Sequence, residues 1–184
     1  MAVVLVSSLT GCSAVETVTD FVSDPVILPC PDYRVVAEAL TLTKFKEGPG
    51  RDLIDVDYEG GIEAVKLGCE SQIDKKTKIG KMEIDVTVLF KASRGAANRN
   101  HKASFPYFIR VLDRTGKILW GEDLMVNIGF PGNKTRLLFS ADPVTLVIPI
   151  SPRWSSKYYR ILTGFKMTRE ELQFNRERRQ KTLK

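Results

Sequence analysis

Alternation of apolar and polar residues is the feature that most constrains how this chain can fold. The clearest case is the stretch MEIDVTVLFK at 82–91, where Met82, Phe90 and three residues between them place an apolar side chain at every second position. Similar alternation runs through 118–128 and 144–150. A period of two puts these side chains on one face of a strand and polar ones on the other. The pattern therefore predicts half-buried β-strands.

Turn residues separate these strands from further candidates. Asp113-Arg114-Thr115-Gly116 is typical of a compact hairpin loop in which Gly116 takes a positive φ. Gly60-Gly61 predicts a bulge or kink within a long strand. The further strand candidates are 34–44, 53–58 continuing through 62–69, 105–113, 135–139 and 158–166.

A chain of 184 residues suits one domain with a core. About seven short strands with tight turns predict an all-β fold, an antiparallel β-sandwich of immunoglobulin or fibronectin type. A small β-barrel is the alternative, because strand number alone does not distinguish the two.

The carboxyl terminus predicts the one helix. Thr168-Arg169-Glu170-Glu171 is a capping box, and Arg176, Arg178 and Arg179 suit the negative end of the helix dipole. Docking would use Leu172 and either Phe174 or Asn175. Most of the net charge of +6 lies in this segment, so the sequence predicts no broad nucleic-acid-binding face.

The amino terminus carries a candidate lipidation site. An apolar stretch and two serines lead to Leu9-Thr10-Gly11-Cys12, which resembles a lipobox. Residues 1–11 would then be a signal peptide, with Cys12 acylated and 12–29 a tether on the periplasmic side of the bacterial cell envelope. The absence of Lys and Arg before Cys12 predicts that the signal is truncated at its start, and Ser13 favours the outer membrane over the inner. A chance LTGC in a cytoplasmic protein is the alternative.

Two cysteines remain once Cys12 is assigned to lipid. An even pair in an oxidising compartment favours a disulfide between Cys30 and Cys69, with two buried free thiols as the alternative. Closing a loop of about 40 residues would stabilise the fold by roughly 4 kcal/mol. Metal and cofactor sites are not predicted, because one histidine and widely separated cysteines do not form a zinc set.

No residue is predicted to be catalytic. His101 lies in a basic, Asn-rich loop and is expected to be solvated; that loop could meet phosphate or lipid headgroups. Asp55, Asp57 and Glu59 would share one solvated face of a strand. Trp154 and Tyr158 suggest either a sugar-stacking or protein-contact patch or, alternatively, the edge of the core.

The chain resembles a family of small alphaproteobacterial lipoproteins. The resemblance rests on TKFKEGPGRDLIDVDYEGGI, Cys69, FKASRGAANR, FPYFIRVLDRTGKIL and YYRILTGFKMTREELQFNR, which together extend over nearly the whole mature chain. It supports the lipobox and the pairing of Cys30 with Cys69. It implies no activity, cofactor or catalytic residue.

The predicted organisation is a sandwich domain at 30–167 and a basic helix and tail at 168–184. The function expected is a non-enzymatic binding or assembly module, lipid-anchored in the membrane, whose partner is an envelope protein or the cell wall. The alternative is an envelope ligand-binding or hydrolytic enzyme using Asp55, Asp57 and the Trp154 loop. In a third hypothesis the Arg-rich tail touches anionic lipid or cell-wall polymer. The candidate interaction residues are Trp154, Tyr158, Arg176, Arg178 and Arg179.

Overall fold

The computed structural model describes residues 27–182, so Cys12 and most of the predicted tether lie outside the described residues. Nine strands and one α-helix, α1 (Arg169–Thr182), make up this part of the chain. The strands are β1 (Asp32–Val35), β2 (Thr41–Phe45), β3 (Val56–Ile73), β4 (Gly80–Arg94), β5 (Lys102–Leu112), β6 (Ile118–Gly129), β7 (Arg136–Ser140), β8 (Val144–Ile150) and β9 (Arg160–Phe165).

The strands form two packed sheets, which confirms the predicted β-sandwich. One sheet has the order β1-β9-β5-β6, and the other has the order β2-β3-β4-β7, with β8 pairing with the first half of β4. All pairs are antiparallel except β1 with β9. No closed barrel forms among residues 27–182.

The predicted strand at 34–44 is two strands in different sheets. A 3₁₀ turn at Ala37–Ala39 carries the chain from β1 in one sheet to β2 in the other. Ala39 is buried where it crosses, and its methyl group lies against Gly164. The apolar pattern ran through the crossing because a residue that passes between sheets is buried just as a strand residue is.

The core lies between the sheets and follows the alternation of β4. Met82, Ile84, Val88 and Phe90 are each 0% exposed. Phe90 meets the rings of other core aromatics, with centroid distances of 5.2 to 5.7 Å to Tyr107, Phe139 and Phe165. Aromatic contact at these distances adds to the stabilisation from burial alone.

The Gly60-Gly61 pair is not the bulge that the sequence predicts. The register shift falls one step later, between Ile62 and Ala64. Gly60 instead allows close packing, because a Cβ there would lie 2.5 Å from the ring of Phe105. The expected hairpin turn is confirmed, since Gly116 has a φ of 88°.

Helix α1 begins with the predicted capping box. The Thr168 amide donates to Glu171 Oε2 at 2.9 Å, and the Glu171 amide donates to Thr168 Oγ1 at 3.3 Å. Asn175 is buried and donates to the carbonyl oxygens of Glu38 and Thr41. Phe174 also docks, edge-on against Phe45 at 5.1 Å. The helix thus lies along β2, which is an edge strand of its sheet.

No helix in the described part of the chain has the length and apolar character needed to cross a membrane.

Candidate functional site

A disulfide joins the start of the domain to the far half of β3. Cys30 and Cys69 are bonded, 39 residues apart in sequence. Cys69 lies opposite Ile84 in the β3–β4 ladder, so the bond holds the segment before β1 against the sheet that contains β3 and β4. Disulfides form and persist in oxidising compartments, which supports folding outside the cytoplasm.

Asp55 is buried before β3, contrary to the expected solvated face, whereas Asp57 and Glu59 lie half-buried on the outer face of β3. Asp55 ends a 3₁₀ turn at Leu53–Asp55, is 6% exposed and lies 2.7 Å from Lys46 Nζ. Its hydrogen bond with Lys46, with help from the Asp52 amide, lowers the pKa of the Asp55 carboxyl. The cation comes from another element, which the spacing of the acids does not reveal.

Asp57 and Glu59 also have specific partners. Asp57 Oδ1 accepts a hydrogen bond from Asn98 Nδ2 at 2.8 Å, and Glu59 Oε1 accepts one from Thr43 Oγ1 at 3.1 Å. These three carboxylates therefore stabilise loops and strand contacts. Among residues 27–182, no three potential metal-ligating side chains cluster.

The loop between β4 and β5 is held by the buried side chain of Asn98 and exposes polar residues to solvent. Asn98 is 6% exposed, and its Nδ2 also donates to the carbonyl of Lys102 at 2.9 Å. His101 is exposed and takes a left-handed φ of 57°. Arg94 Nη1 lies 2.7 Å from His101 Nε2. Because a guanidinium only donates, Nε2 is the acceptor in this contact.

The Trp154 loop lies far from the acids. Trp154 is 42% exposed, and its ring centroid lies 6.1 Å from that of Tyr158, which is half-buried against the core. This loop follows β8, whose last residue pairs with Gly80 at the start of β4. Asp55 precedes the strand segment that pairs with the other end of β4. A strand of this length spans roughly 45 Å, so the two candidate regions do not form one site.

The sequence did not predict a groove that lies on the outer face of the sheet β2-β3-β4-β7. This basic groove has a volume of about 370 Å³ and crosses β2, β3, β4 and β7. Its side chains come from two rows in register; they are Thr41, Gly61 and Lys91, then Thr43, Glu59, Ser93 and Arg136, with Arg178 added from α1. Gly61 makes the depression, because a Cβ there would lie 2.8 Å from Lys91 Cε.

The charge of the basic groove is predominantly positive. Arg178 Nη1 donates to Glu59 Oε1 at 2.8 Å, and Lys91 pairs with Glu63 at 2.8 Å. Arg136 has no ion pair with any described residue and is exposed. An anionic group entering the groove would meet an unpaired guanidinium beside two further cations.

The three arginines singled out from the sequence diverge in the structure. Only Arg178 lines the basic groove. Arg176 lies 3.9 Å from Glu38, and Arg179 is exposed in the last turns of the helix. The sequence signals for the groove were Gly61 and Arg178. They are separated by more than a hundred residues, and only the strand pairing and the docking of α1 on β2 bring them together.

Comparisons with known proteins assign no family to this chain. No protein-family model matches it, and no curated protein does. Among solved structures, the variable (V) domain of the AgI/II polypeptide BspA of Streptococcus agalactiae aligns with 70% of this chain and 74% of that chain, at 16% identity and a TM-score of 0.23. This likeness carries no argument about function. The resemblance to alphaproteobacterial lipoproteins stays a prediction.

Proposed function

We propose that this chain is a lipid-anchored, non-enzymatic binding module of the bacterial cell envelope. Cys12 would carry the lipid, and the sandwich would face the periplasm, with the outer membrane favoured over the inner. The Leu9-Thr10-Gly11-Cys12 motif supports the anchor, and the disulfide between Cys30 and Cys69 supports an oxidising compartment. Several acyl chains give a stable attachment where one chain gives a marginal one.

The observation that carries the binding role is the basic groove. Its cations come from three elements, and Arg136 among them has no ion-pair partner in the described part of the chain. The proposed partner is an envelope protein or cell-wall polymer that presents a carboxylate or phosphate. The alternative, a hydrolytic or ligand-binding enzyme, has less support. Asp55 lies near the end of β4 and Trp154 near its start, so the two residues are too far apart to share one site.

Mass spectrometry of the protein from its native host tests the anchor. Acylation at Cys12 is expected, together with loss of membrane association in a Cys12→Ser variant. Unmodified Cys12 in the membrane fraction, or a variant that stays membrane-bound, would contradict the anchor.

Co-purification from solubilised envelopes tests the groove. An Arg136→Glu variant is expected to lose the partner, whereas Arg114→Glu, an equal charge change in the β5–β6 turn, retains it. Thermal unfolding of both variants checks that the fold is intact. Equal recovery with the two variants would refute a role for the groove.

A further inference from the structure

The lateral edges of the two sheets differ in how well they are protected. Strand β1 is only four residues long, and β2 is covered by α1. Strand β8 carries Pro149, which blocks strand addition where it lacks an N–H. Strand β6 is different, since it ends its sheet, runs for 12 residues and contains no Pro, Lys or Arg. Natural proteins usually block such a long edge.

The backbone of β6 leaves half of its polar groups facing outward. The Phe130 amide donates to the His101 carbonyl at 2.7 Å, one step beyond the paired residues Lys102 and Gly129. Hydrogen-bonded and non-hydrogen-bonded pairs alternate in an antiparallel ladder. Even-numbered residues of β6 therefore bond to β5, and odd-numbered ones direct their N–H and C=O groups to the free edge. Met125, opposite Pro106, is one of these outward residues, which is consistent because Pro106 has no N–H.

The core is also open beside β6. Leu124, Val126 and Ile128 point inward but are only half-buried, unlike the fully buried residues of β4. Across the sandwich, Leu137 and Phe139 of β7 are half-buried too. An apolar strip thus lies exposed along the free edge, where a further strand would bury it.

Two acids flank this strip without compensating charge. Glu122 lies in β6 on its inward side, and Asp142 lies in the segment between β7 and β8. Burial raises the pKa of Tyr107, and the negative charges of Asp142 and Glu122 raise it further. Neither carboxylate has an ion pair within residues 27–182.

We infer that β6 accepts an extended segment of a partner protein as an added strand. The segment would pair with the outward backbone groups of β6 and place alternate apolar side chains over Leu124, Val126 and Ile128. One of its inward residues would be Lys or Arg, facing Glu122 and Asp142. A second copy of this chain fits less well, because its β6 brings further acids and no cation. The inference uses neither the lipid anchor nor the basic groove.

Synthetic peptides test the inference on the full chain. The probe is a nine-residue peptide with Thr at outward positions and Val at inward positions. One inward Lys is placed to face Glu122 when Val residues cover Leu124, Val126 and Ile128; the matched peptide carries Glu in place of this Lys. The Lys peptide is expected to slow amide hydrogen exchange at odd-numbered β6 residues and to bind about tenfold more tightly than the Glu peptide. A Glu122→Lys variant is expected to reverse that preference.

Two substitutions at one position test the backbone pairing. Met125→Pro removes an outward N–H and is expected to abolish the protection, whereas Met125→Ala keeps the N–H and is expected to retain it. Thermal unfolding establishes that both variants fold. Three results would overturn the inference: failure of both peptides to bind the wild-type chain, slowed amide exchange at residues outside β6, or equal binding by the folded Pro variant. Concentration-dependent self-association that protects the same amides without peptide would also overturn it, in favour of a second copy.

Discussion

Removal of the disulfide is expected to lower the free energy of unfolding, because the unfolded chain gains conformational freedom. Replacing Cys30 and Cys69 together by Ala opens a loop of 39 residues. On the chain-entropy relation a loop of this length restricts the unfolded ensemble by about 13 cal/mol/K, which is about 4 kcal/mol at 25 °C. For a domain of this size, that loss lowers the melting temperature by roughly 8 to 16 °C.

Urea denaturation followed by circular dichroism measures this loss. The parent is the full chain carrying Cys12→Ser, so that Cys12 cannot exchange with the pair under study. The free energy of unfolding should fall by about 4 kcal/mol, and the dependence on urea should steepen because the uncrosslinked chain exposes more surface.

Reduction of the parent supplies the control. Treatment with a thiol reductant should move its unfolding curve onto that of the double variant without changing the double variant. A loss below about 1 kcal/mol with an unchanged urea dependence would refute the reasoning, since the loop constraint would then contribute little.

Three further predictions concern single positions. Gly60→Ala should destabilise the fold by about 1 to 3 kcal/mol, because the added methyl group meets a core ring at 2.5 Å, whereas Gly68→Ala in the same strand meets only a side-chain atom at 3.8 Å and should be nearly neutral in urea denaturation. Asn175→Ala should cost about 1 to 3 kcal/mol in the same assay, because the carbonyls of Glu38 and Thr41 lose the hydrogen bonds donated by this buried side chain. The lowered pKa of Asp55 stabilises the fold above the unfolded value of 3.8 and loses this contribution as the pH falls below it. Asp55→Asn should therefore weaken the fall in the free energy of unfolding at acidic pH, and Lys46→Met should weaken it similarly. An unchanged pH dependence in either variant would contradict the pairing.

The parts of the fold that follow from neighbouring residues were predictable. The alternation in β4, the turn at Gly116 and the capping box of α1 each depend on spacings of a few residues, and the structure has them as expected. The single strand predicted at 34–44 failed because burial in a strand and burial in a crossing leave the same pattern.

The candidate sites were less predictable because they depend on distant partners. Asp55 was expected on a solvated face, yet Lys46 and a 3₁₀ turn enclose it. Arg178 was predicted to suit the helix dipole and to be a candidate interaction residue, but the sequence did not indicate its hydrogen bond with Glu59, 119 residues earlier in the chain. The composition of one segment does not indicate which cation another segment places beside it in the fold.

The sequence by itself determined the class of the fold, its turns, its one helix and the pair of cysteines that could bond, because each is set by local pattern or by count. Only the tertiary structure decided the strand order, and with it the basic groove over Gly61 and the unprotected edge at β6. The physical reason is that a period of two specifies which face of a strand is buried but not which strand lies beside it. Sites formed across several strands appear only when that order is known.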